Sequence, residues 1–142
     1  MYGAILGDII GSPFEFDRGD KTKNFDLFSK GCDFTDDSVM TIAVGEALLA
    51  VGTEATVKEI EEAVITNMQD WGKRYPYAGY GGRFRHWLKE KSPKPYGSYG
   101  NGSAMRVSAA GWLYDSLERT REVARATANV THNHPEGIKG AE

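Results

Sequence analysis

Disulfides, long apolar runs and a strong charge of either sign are all missing from this chain of 142 residues. Cys32 stands alone, so no internal disulfide can form and a reducing compartment is the expected setting. No apolar run is long enough to span a bilayer. The N-terminus has no basic flank and Asp8 interrupts its apolar residues, which argues against a signal peptide. The net charge is only -3, so there is no electrostatic footprint for nucleic acid or a membrane surface. Alternation of the β type never lasts beyond a few residues. No serine, histidine and acid arrangement stands out, and Cys32 has no recognisable activating base, which disfavours nucleophilic catalysis. The expectation left standing is a cytoplasmic, all-α domain.

Glycine is plentiful, with 17 residues against a usual share of about 7%. Three stretches concentrate it: residues 3–11, 79–82 and 97–102. A short helix is expected over residues 2–10, ended by Gly11, Ser12 and Pro13. Residues 14–33 show no period and are expected as a loop, of a length that is uncommon and often functional. Residues 38–51 carry one charge, Glu46, and apolar side chains on every face, the pattern of a buried helix stopped by Gly52. Thr56 and Glu59 form a capping box, followed by Val57, Ile60, Val64, Met68 and Trp71 on one helical stripe. Further helices are expected over residues 83–91, 104–113 and 117–130, with Pro135 opening another.

Two constellations carry chemistry. Thr35, Asp36, Asp37 and Ser38 crowd hard oxygen donors onto the first turn of the buried helix. They suit Mg²⁺ or Mn²⁺ better than zinc, and a cation would relieve the repulsion between adjacent carboxylates. The plain alternative is an N-cap that satisfies free backbone N–H groups. The second is Gly97, Ser98, Tyr99, Gly100, Asn101, Gly102 and Ser103, directly before an expected helix. Such a loop converges N–H groups on an anion, or is simply a surface turn. Arg106 either adds charge to it or forms a structural ion pair. His132 and His134 lack soft co-ligands for zinc, so they are either helix C-terminal cations or a pocket wall. Glu15 has the plain reading of a solvated charge, and Asp8 that of a helix-surface residue or a capping partner.

Taken together, these segments resemble the ADP-ribosylglycohydrolase family. The likeness rests on Gly3-Ala4-Ile5-Leu6-Gly7-Asp8-Ile9-Ile10-Gly11-Ser12 with Glu15, on Phe34-Thr35-Asp36-Asp37-Ser38, and on Gly81-Gly82-Arg83-Phe84. It continues through Gly97 to Arg106 and ends on Thr131-His132-Asn133-His134-Pro135. The resemblance implies an all-α orthogonal helical bundle with two Mg²⁺ or Mn²⁺ ions at the base of a cleft. Thr35, Asp36 and Asp37 would bind metal, Glu15 would sit near the metals and substrate, and residues 97–103 with His132 would hold ADP-ribose. The implied activity is release of ADP-ribose from an acceptor by cleavage at the anomeric carbon, with Glu15, Asp36 and Asp37 as catalytic carboxylates. One departure stands out. Family members are longer and carry a second acidic motif, Asp-any-Asp-Thr or Ser, which does not follow His134 here. The expectation is therefore the N-terminal part of such a domain, completed by further chain or by a complementing partner. The competing expectation is a non-catalytic ADP-ribose or nucleotide binder.

Overall fold

A computed structural model describes residues 1–16 and 22–142. Residues 17–21 of the loop expected over 14–33 lie outside the described residues. Every regular element described is helical: α1 (Tyr2–Gly11), α2 (Asp36–Val51), α3 (Val57–Arg74), α4 (Gly82–Trp87), α5 (Ala110–Leu113), α6 (Leu117–Asn129) and α7 (Pro135–Ala141). Two 3₁₀ turns, Ser12–Phe14 and Val107–Ala109, complete the set. The all-α class read from the sequence is the class that forms.

The rest of the chain is laid around α2. That helix packs along α3 and takes α1 and the Val107–Ala109 turn on its other sides, while α6 bridges α3 and α7. Met40, Ala43, Val44 and Ala47 are completely buried, which explains why α2 shows no polar face. Thr35 caps its start, accepting from the Asp37 N–H at 3.3 Å. Gly52 ends it at a φ of 80°, a conformation that costs glycine little.

In α3 the capping box forms in both directions between Thr56 and Glu59. Ile60, Val64 and Met68 are buried as the period requires, but Val57 is 36% exposed. Trp71 is partly buried against the core, and Gly72 beside it is buried as well. A Cβ there would stand 2.8 Å from Leu88 Cδ1, so glycine lets α3 approach the end of α4. Pro135 opens α7 behind His134, whose Nδ1 accepts from the Glu136 N–H at 3.2 Å.

The helix expected over residues 104–113 does not form as one element. Residues 101–106 are turns, and α-helix begins only at Ala110. Tertiary hydrogen bonds hold this stretch in place of a local ladder. The Ser103 hydroxyl donates to Gly137 O at 2.6 Å, and Arg106 Nη2 donates to Thr127 O at 3.1 Å. No helix among the described residues is long and apolar enough to cross a membrane.

Candidate functional site

Four carboxylates meet where α1 and α2 come together. Asp8 projects from α1, Glu15 follows the Ser12–Phe14 turn, and Asp36 and Asp37 open α2. Asp8 caps α2 across the fold: it accepts from Thr35 N–H at 2.8 Å, the Thr35 hydroxyl at 2.6 Å and Ser38 N–H at 3.1 Å. The capping role expected for Asp8 and the N-cap role of Thr35 are therefore both present. Asp8, Glu15 and Asp37 each offer a carboxylate oxygen, and these oxygens lie within 4.8 Å of one another. Asp36 is not one of that trio and lines a neighbouring cavity.

Burial and crowding raise the affinity of Asp36 and Asp37 for a proton. Burial, then Asp37, then Glu15 and Asp8 push the Asp36 carboxyl up to about 6. Burial and Asp8 also raise Asp37, against the lowering effect of its hydrogen bond with Thr35. The physical cause is shared: ionised carboxylates in a partly dry place repel one another until a proton or cation intervenes.

The cavity beside Asp36 measures about 310 Å³ and lies between the start of α4, the glycine loop and the turn after α6. The loop residues divide by task. Ser98, Gly100, Asn101 and Gly102 line the cavity. Gly97 N–H donates to Asn133 Oδ1 at 2.8 Å, which anchors the loop to the turn after α6. Tyr99 is 74% exposed, with its ring 5.3 Å from that of His134. Ser103 is sealed by its bond to Gly137 O. The expected helix N-terminus behind the loop is absent, since α5 is only four residues long. Positive charge comes instead from Arg83 and Arg106 in the cavity wall.

Arg106 is 0% exposed, and no ion pair joins it to a carboxylate among the described residues. Its Nη2 donates to Thr127 O and, at 2.8 Å, to Thr131 Oγ1, while its Nε is sealed without a partner. Burial lowers its pKa to about 10, which still leaves it charged at neutral pH. His132 is 4% exposed, and burial followed by Arg106 pulls its pKa down to about 4. The alternative of a charged His132 at a helix C-terminus is thereby corrected: beside a buried guanidinium this imidazole is neutral. Sequence reasoning gave Asp8 a surface or capping role but no place among the clustered carboxylates, and it missed Gly137. Asp8 had as its signal a lone carboxylate inside an apolar helix. Gly137, whose Cβ would meet Ser98 O at 2.5 Å, had none.

An all-helical chain thus sets clustered carboxylates, able to attract a cation, beside a glycine-lined cavity with two arginines in its wall. The chain belongs to the ADP-ribosylglycohydrolase family, whose model matches residues 1–142. It is similar to human ADP-ribosylhydrolase ARH3, at 31% identity over 99% of this chain and 46% of that protein. The bovine ADP-ribosylhydrolase ARH3 is 32% identical over 99% of this chain and 45% of its own length. ADP-ribosyl-[dinitrogen reductase] glycohydrolase of Rhodospirillum rubrum is 28% identical over 94% of this chain and 50% of that protein. The chain thus spans about half the length of the relatives it matches.

Proposed function

We propose that this chain forms the ADP-ribose-binding and first metal-binding portion of a metal-dependent ADP-ribosyl hydrolase. The observation that carries the proposal is the convergence of Asp8, Glu15 and Asp37 beside a cavity with anion-binding groups. The family membership and the relatives' names support the substrate class.

The donor set fits Mg²⁺ or Mn²⁺: it consists of hard oxygen atoms, and the raised affinity of Asp36 and Asp37 for protons marks a shortage of positive charge. Asp8, Glu15, Asp36 and Asp37 would hold such an ion, with Thr35 fixed behind them by Asp8. A bound divalent ion supplies orientation of the ribose hydroxyls and stabilisation of negative charge. Glu15 is the group assigned to take the proton of the attacking water and to return it to the departing acceptor as the bond at the anomeric carbon breaks. Arg83 and the free faces of Ser98, Gly100 and Asn101 bind and orient the diphosphate, while the sealed Arg106 adds positive potential from behind the cavity wall. The half-length match favours a second reading for the chain by itself, ADP-ribose binding without turnover.

Calorimetry of the chain with ADP-ribose, with Mg²⁺ or with EDTA, tests the proposal together with an assay for ADP-ribose release from an ADP-ribosylated peptide. Binding strengthened by Mg²⁺, and weakened roughly tenfold in Asp37→Ala, is the expected result. Turnover that persists in EDTA sinks the metal-dependent reading. Binding that Mg²⁺ leaves unchanged, with no product, selects the non-catalytic one.

A further inference from the structure

The hydrogens around Thr131 can be assigned one by one. Arg106 Nη2 is a donor only, and it occupies a lone pair of Thr131 Oγ1 at 2.8 Å. Thr131 is 0% exposed, so water does not take its hydroxyl hydrogen. The acceptor left to that hydrogen among the described residues is His132 Nδ1, 2.7 Å away. If Nδ1 carried a hydrogen instead, the hydroxyl hydrogen would be sealed without an acceptor. His132 Nε2 must then carry the ring proton. Nε2 has no hydrogen-bond partner among the described residues and is not one of the sealed orphan atoms. It lies against Gly102 in the cavity wall, where a Cβ would come within 3.0 Å of it.

We propose that Arg106 and Thr131 lock His132 as the Nε2–H tautomer, so that the cavity receives a fixed hydrogen-bond donor matched to an oxygen acceptor of the ligand. Arg106 and Thr131 are positioning residues in this scheme; they act on the ligand through the ring of His132. Burial and the nearby guanidinium keep the ring from gaining a second proton near neutral pH. A donor-only nitrogen rejects a cation or an N–H at that point and accepts a phosphate or hydroxyl oxygen. The tautomer stands on the geometry alone, while the choice of ADP-ribose as probe rests on the function proposed above.

Long-range ¹H–¹⁵N correlation on the labelled chain, with His132 assigned by loss of its signals in His132→Gln, reads the tautomer directly. The expected spectrum shows a non-protonated Nδ1 and a protonated Nε2 at pH 7. A protonated Nδ1, or an averaged pair, overturns the proposal. Thr131→Val should release the ring to average between tautomers and weaken ADP-ribose binding roughly tenfold, while Thr131→Ser should keep both near wild type. If Val and Ser variants bind ADP-ribose alike although their tautomers differ, the donor role fails. An Nε2–H spectrum in a chain that binds no ADP-ribose supports the lock and counts against the substrate reading alone.

Discussion

The two ends of the candidate site satisfy their charges in opposite ways. Where α1 meets α2, carboxylates of one sign gather in a half-exposed place, and backbone donors do not offset the burial and repulsion that raise Asp36 and Asp37. Asp8 accepts from Thr35 and Ser38, yet Asp36 is left with a carboxyl raised to about 6. Where the glycine loop meets the end of α6, one cation is sealed, and a main-chain carbonyl and a hydroxyl take two of its hydrogens. The first arrangement is costly until something positive is added. The second holds its charge by packing, and so belongs to the stability of the fold as much as to a ligand.

That contrast is broken most severely at Arg106. Arg106→Ala empties a fully buried volume and strips Thr127 O and Thr131 Oγ1 of a donor. A loss of about 3 kcal/mol in urea unfolding is expected. A loss under about 1 kcal/mol would show that the cation contributes little to the fold and that the contrast is mistaken. A smaller effect is expected at Gly137. Alanine there gains up to about 1 kcal/mol of helix propensity. Its Cβ, however, would sit 2.5 Å from the backbone oxygen of Ser98, which no rotamer change can relieve. Gly137→Ala should therefore destabilise by about 2 kcal/mol and displace the loop. Gly140→Ala is the control: its Cβ would meet only Ala104 Cβ at 3.9 Å, so propensity wins and the chain gains stability. Equal effects of the two substitutions would remove the claim that α7 holds the loop.

Local rules were legible in the sequence. The run of α2 after Asp37, with Glu46 its one charge, the Thr56–Glu59 box and Pro135 at the start of α7 each depend on neighbours within a turn or two, and each appears as expected. The failures arise where distant residues decide. The sequence around Ala104 favours helix, but Ser103 and Arg106 find partners in α7 and at the end of α6, and the turn wins. Asp8, Glu15 and Asp37 converge through the packing of α1 on α2, which no spacing encodes. The neutrality of His132 depends on a buried guanidinium brought from Arg106. Residue types at the candidate site could be picked out in the sequence; their division into an acidic trio, a cavity wall and structural ties could not.

The smallest expected effect sharpens the acidic side of the comparison. The folded chain holds the Asp36 proton up to about pH 6, above the ordinary carboxylate value of 3.8. A raised folded pKa favours the folded state when the group is protonated. That contribution is fully present below about pH 4 and is lost as pH rises through about 6. At pH 7 in EDTA the ionised Asp36 is thus a liability, though water and salt on its exposed side reduce it to about 1 kcal/mol. Asp36→Asn, which cannot ionise, should be more stable than wild type by that amount at pH 7, with the gap closing towards pH 4. Saturating Mg²⁺ should reverse the order at pH 7, because ion binding rewards the carboxylate and not the amide. Melting curves of both chains at the two pH values, with and without Mg²⁺, decide the matter. A stability difference independent of pH would mean that Asp36 is paired well enough without any cation, and the asymmetry between the two ends would disappear.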